Sequence, residues 1–92
     1  MNMPTFHFRL FIAGDEPNSK RAKENLNQIC SDYLHGDCQV ETVDILKDYQ
    51  SALSSNIFVT PALKIEGPQP SITIYGNLND EEKVLTALGV KS

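Results

Sequence analysis

From Thr5 to Ile12 the chain alternates. Phe6, Phe8, Leu10 and Ile12 fall on one side of an extended segment and Thr5, His7, Arg9 and Phe11 on the other, the period of a strand. The period then lengthens: Ala22, Leu26, Ile29, Cys30 and Tyr33 make an apolar stripe at helical spacing. The turn cluster Ala13-Gly14-Asp15-Glu16-Pro17-Asn18 precedes that helix, with Asp15 or Asn18 the expected cap. His35-Gly36-Asp37 stops it, with Gly36 the left-handed residue. Gln39 to Leu46 is rich enough in β-branched residues for a second strand, and joining it to the first through a helix requires a right-handed parallel crossover. Lys47 to Ser55 predicts a short helix that carries Tyr49, Ala52 and Leu53 inward.

The run Asn56-Ile57-Phe58-Val59-Thr60-Pro61-Ala62-Leu63-Lys64-Ile65-Glu66 is strand-like but contains a proline, which cannot donate to a ladder. A strand beginning at Ala62 must therefore turn at Thr60-Pro61 first, and a cis Thr60-Pro61 bond is expected there. Gly67-Pro68-Gln69-Pro70 is a connector, and Ser71 to Tyr75 alternates again with Ile72 and Ile74 on one face, so the two strands predict an antiparallel hairpin. Gly76-Asn77-Leu78-Asn79-Asp80 starts a last helix with Glu81 and Glu82 in its first turn, Val84, Leu85 and Leu88 inward, and Gly89 at its end. The order is βαβαββα, an α/β fold with a mixed four-stranded sheet and helices on both faces. No repeat, linker or low-complexity segment divides residues 1–92, so one domain is expected.

Composition narrows the functions. Of 92 residues, 22% are charged and 40% apolar, a globular balance, and a net charge of −4 leaves no excess of Lys and Arg to neutralise a nucleic acid. No run approaches a membrane span, and Met1-Asn2-Met3-Pro4 lacks the basic flank and apolar core of a signal peptide. The expectation is a cytoplasmic protein. Two cysteines outside Cys-x-x-Cys spacing predict reduced thiols.

A βαβαββα order with a proline before its third strand resembles the thioredoxin-like plan, whose enzymes place their chemistry in the turn between strand one and helix one. A redox enzyme needs a low-pKa thiolate there. Here the turn is Ala13-Gly14-Asp15-Glu16-Pro17-Asn18-Ser19, without a cysteine. Ser19 is the position for a glutathione-transferase-like hydroxyl, but no base is near it in sequence, and a capping or solvated serine is the simpler reading. Cys30, His35 and Cys38 have no fourth partner and predict no metal site; Cys30 reads as a core thiol, His7 as a residue on the strand's less apolar face, and His35 as one favoured by the helix dipole. No catalytic residue and no cofactor are expected. Lys20, Arg21 and Lys23 sit unfavourably for the helix dipole, which makes a partner's acidic surface an alternative to plain solvation.

The residues that go furthest are Leu10-Phe11-Ile12-Ala13-Gly14 with Pro17-Asn18-Ser19, Arg21-Ala22, Leu26, Val43-Asp44-Ile45-Leu46-Lys47, Thr60-Pro61-Ala62-Leu63, Gly76-Asn77-Leu78 and Glu82-Lys83-Val84-Leu85. From Phe6 to Leu88 the chain resembles the KaiB family, the clock proteins of cyanobacteria and their bacterial and archaeal relatives. The resemblance implies a non-catalytic module that docks on a KaiC-like RecA-type ATPase in clock or stress and signalling regulation, as a homodimer or homotetramer at rest. It also implies that some members adopt a second fold with a rearranged C-terminal half. Clock members usually carry an arginine pair after the proline-rich turn, where this chain has Pro68-Gln69-Pro70-Ser71-Ile72, and often continue into an acidic tail, where it stops at Ser92. The thioredoxin-like state is the one expected here. Docking is expected at the start of the first helix and the end of the second strand, on Asn18, Lys20, Arg21, Lys23, Asp44 and Lys47, because a βαβ unit brings both to one end of the sheet and because Arg21 and Lys47 match basic positions in the family's motifs. The competing readings are a redox or glutathione-linked enzyme and a sensory adaptor module for a histidine kinase.

Overall fold

The computed structural model describes residues 5–67 and 71–90. Pro68, Gln69 and Pro70 of the expected connector lie outside that range. The elements are β1 (Phe6–Ile12), α1 (Pro17–Tyr33), β2 (Cys38–Asp44), α2 (Tyr49–Ser54), β3 (Ala62–Gly67), β4 (Ile72–Tyr75) and α3 (Glu81–Leu88). The sheet order is β2-β1-β3-β4, with β1 and β2 parallel and the other neighbours antiparallel. This is the predicted βαβαββα order, in the thioredoxin-like arrangement.

The alternation in β1 divides the interior. Phe8, Leu10 and Ile12 join Leu63, Ile65 and Ile74 on one face, where Ala22, Leu26 and Ile29 of α1 and Val84, Leu85 and Leu88 of α3 cover them. Phe11 points to the other face and packs with Val43, Ala62, Ala52 of α2 and Ile57. Helices thus cover both faces. The second layer is small, because α2 has six residues and only Ala52 among them is buried. Tyr49 and Leu53, expected inward, are instead largely exposed. With so short a helix, one small side chain suffices to seat it on the sheet.

Local chemistry sets the boundaries. Glu16, neither Asp15 nor Asn18, caps α1: its carboxylate accepts the Ser19 N–H at 3.0 Å, and Pro17 fills the first helical position, where a missing N–H costs nothing. The negative cap also offsets the three cations that follow at the positive end of the helix dipole. His35 and Gly36 both take left-handed conformations after α1. β2 ends at Asp44, two residues before its expected end, because the Asp44 carboxylate turns back to accept the Leu46 N–H. The Thr60-Pro61 bond is cis. Asp80 caps α3 and left-handed Gly89 closes it.

Candidate functional site

The register brings four strand ends into a row. Ile12 pairs with Asp44 at the ends of parallel β1 and β2, Phe11 with Ala62 at the start of β3, and Ala62 with Tyr75 at the end of β4. The loops that leave this row are therefore neighbours, and backbone bonds join them: Ile45 donates to the Ile12 carbonyl and Gly76 to the Pro61 carbonyl, each at 2.9 Å. The start of α1 lies at the same end.

Ser19 sits in the middle of this end and is fully buried. Its Oγ accepts the Ala13 N–H at 3.1 Å and donates to the Glu16 carboxylate at 3.3 Å, which ties the first residue of the strand-to-helix turn to the cap. It is neither solvated nor the cap itself. His7 pairs with Gln39 and Gly67 at the far end of the sheet, and His35 follows the other end of α1, so no imidazole meets the hydroxyl. A buried serine whose oxygen is committed to backbone and cap is a structural tie.

Asp44 joins the two flanking loops. One oxygen, Oδ1, accepts the Leu46 N–H at 3.0 Å and the Gly14 N–H at 3.1 Å. Those bonds hold its carboxyl below the usual carboxylate range, the Leu46 N–H first, with Lys47 and Lys23 contributing. Gly14 has φ of +54°, and a Cβ there would stand 3.1 Å from Leu46 Cδ1, so glycine lets the first loop close against the second. A folded-state pKa below the unfolded value adds stability above pH ~3.9 and loses it as pH falls through the folded value. Asp44→Asn is accordingly expected to unfold at a lower urea midpoint than the wild type near neutral pH, with the gap narrowing on acidification below that point. A gap that stays constant would mean that the charge contributes nothing.

The six residues expected at a docking surface all lie at this end, in two groups. Lys23 and Lys47 act on Asp44 from the β2 side. Asn18, Arg21 and Asn25 follow one another at i, i+3 and i+7 on the opposite ridge of α1, where the Asn18 side chain accepts from Asn77 and Asn25 donates to the Asn77 carbonyl at 2.7 Å. Lys20 is exposed between the two groups. Asp44 is half-buried and holds backbone, which makes it a positioning residue more than a contact.

Sequence reasoning missed the apolar part. Phe58, Leu46 and Val59 are 74, 73 and 61% exposed, and Tyr75 is 51% exposed. All four adjoin the row of strand ends. Ile57 is buried, whereas Phe58 and Val59, which follow it before β3 begins, are exposed. Exposed large apolar side chains at the same end as exposed cations have the composition found at protein interaction surfaces. Among the described residues no group of three or more His, Cys, Asp or Glu side chains is placed to hold a metal ion, and no helix is long and apolar enough to cross a membrane.

Comparison with known proteins gives a consistent result. A model of the KaiB domain matches residues 9–90. The circadian clock oscillator protein KaiB of Rippkaea orientalis is 39% identical over 84 residues, 91% of this chain and 81% of the relative, and its counterpart from Microcystis aeruginosa is 38% identical over the same length. Among solved structures, the N-terminal domain of Synechococcus elongatus SasA superposes with a TM-score of 0.78 at 18% identity, covering 97% of this chain and 88% of that one. Chloroplastic thioredoxin z superposes with a TM-score of 0.76 at 17% identity, covering 92% and 76%. Likenesses at that identity establish the fold.

Proposed function

Because the chain belongs to the KaiB family, we propose that it is a non-catalytic regulatory protein that binds a KaiC-type RecA-like ATPase through the end of the sheet where the β1–α1, β2–α2 and cis-proline loops meet. The observation that carries this reading is the pairing of exposed Leu46, Phe58, Val59 and Tyr75 with the cations Lys20, Arg21, Lys23 and Lys47 at one end of a rigid sheet. Apolar side chains supply area that water leaves on docking, and the cations orient the encounter with an acidic surface.

The redox alternative meets a chemical obstacle in the same place. A thioredoxin-like enzyme needs a thiolate at the start of α1, and this position holds Ser19, buried and bonded to Ala13 and Glu16. Both cysteines lie at the other end of the helix.

The test is Arg21→Glu with Lys47→Glu, titrated against the cognate ATPase at two salt concentrations, with circular dichroism confirming the fold. Both side chains are exposed, so the fold is expected to survive. Association is expected to slow and affinity to fall by about tenfold or more at low salt, with a smaller difference at high salt. Unchanged affinity at low salt would overturn the electrostatic part of the reading.

A further inference from the structure

At the end of the sheet away from the proposed docking surface, two thiols pack into one core cluster. Cys30 is buried near the C-terminal end of α1, in the core beneath β1. Cys38 is the first residue of β2, opposite Phe6, half-buried and packed against that core. The intervening chain is fixed so as to bring them together: the Cys30 carbonyl accepts the Leu34 and Gly36 N–H groups at 3.3 and 3.0 Å, and Cys38 donates its N–H to the Gly36 carbonyl at 2.8 Å. Left-handed His35 and Gly36 make the reversal between them. Both side chains belong to one packed cluster, Cys30 inside it and Cys38 against it, and Cys38 adds to the burial that raises the Cys30 thiol.

We propose that Cys30 and Cys38 are a reversible redox pair that closes to an intramolecular disulfide between the end of α1 and the start of β2 under oxidation by a peroxide. The two sulfurs have distinct parts. Cys38 is the more accessible; burial foremost raises its thiol, the neighbouring Cys30 partly offsets that, and the Asp37 charge adds to it. Burial foremost pushes the Cys30 thiol up, so it stays protonated until it resolves the intermediate. The Cys38 thiolate attacks a peroxide oxygen; an S–O bond forms, the O–O bond breaks, and hydroxide leaves and is protonated to water. The Cys30 sulfur then attacks the Cys38 sulfur; the S–S bond forms, the S–O bond breaks, and the departing hydroxide takes the Cys30 proton as a second water. Two electrons pass from the thiols to one peroxide. A raised thiol pKa makes this a slow response to sustained oxidant, unlike the turnover of a peroxidase.

The inference is independent of the proposed partner, because the pair and the docking surface lie at opposite ends of β1. The experiment is treatment of the reduced chain with hydrogen peroxide, followed by intact mass, thiol titration in denaturant and a non-reducing gel. The expected result is a monomer that has lost two hydrogens, about 2 Da, with both thiols gone and both restored by dithiothreitol. Cys30→Ser should leave Cys38 as a sulfenic acid that dimedone traps in several-fold greater yield than in the wild type, whereas Cys38→Ser should leave Cys30 unreacted. Single-oxygen adducts that persist on Cys38 of the wild type beside a free Cys30, or covalent dimers as the main product, would overturn the proposal.

Discussion

Replacing Phe58 with aspartate is expected to remove most of the affinity for the ATPase while leaving the fold intact. Phe58 is 74% exposed, so the isolated protein loses almost no packing, and the urea midpoint should stay within the scatter of ordinary surface substitutions. The complex is another matter. A large aromatic beside Leu46, Val59 and Tyr75 has the character of a residue that anchors an interface, and such anchors cost about 2 kcal/mol or more when truncated, roughly a thirtyfold loss. A carboxylate in its place adds an unpaired charge to be desolvated. Titration calorimetry against the cognate ATPase reads the result, with Phe58→Leu as the variant that keeps most of the apolar area. Wild-type affinity for Phe58→Asp would place the anchor elsewhere.

The largest effect on stability is expected at Phe8. It is 1% exposed in the middle of β1, stacks on Phe6 with ring centroids 6.2 Å apart, and joins the core that α1 and α3 cover. Phe8→Ala should cost about 3–5 kcal/mol, since the transfer free energy of the ring and the void it leaves add together. A small domain has roughly 5–15 kcal/mol in all, so the variant should sit near the edge of folding. Urea denaturation followed by circular dichroism measures it. A loss below about 1 kcal/mol would mean that the core refills the space, a degree of collapse seldom seen at such sites.

Much of the scaffold was legible in the chain because its core obeys simple periods. Phe8, Leu10 and Ile12 alternate and are buried together, Ala22, Leu26 and Ile29 recur at helical spacing and face them, and the proline at position 61 could only precede a strand. The errors arose where a residue type has two uses. Glu16 was passed over as a cap because Asp and Asn are the usual ones, although Pro17 directly after it marked the first helical position. Tyr49 and Leu53 were assigned to the interior by their apolarity, yet α2 is too short to bury more than Ala52.

The candidate site was legible in part for the same reason. The charged residues near α1 and after β2 were expected at one end of the sheet and lie there, since a parallel βαβ unit dictates where those loops fall. Phe58 and Val59 belong to a strand-like apolar run, and nothing local to Asn56–Thr60 says that the chain turns its apolar side outward before Pro61. Leu78 has φ of +63° and is nevertheless buried, a conformation that no local preference of leucine predicts and that packing must impose. The packing of Cys30 and Cys38 into one cluster likewise depends on a reversal through two left-handed residues, His35 and Gly36, of which only the glycine announced itself.

The most direct test of the account is a binding footprint: the amide and methyl NMR spectrum of the isotopically labelled chain, recorded with and without the cognate KaiC-type ATPase. The account predicts that the perturbed signals cluster on Gly14, Lys20, Arg21, Leu46, Lys47, Phe58, Val59 and Tyr75, with His7, Gln39 and Glu66 at the far end of the sheet unchanged. Signals that shift at the far end alone, or a spectrum that the ATPase leaves unaltered, would contradict it.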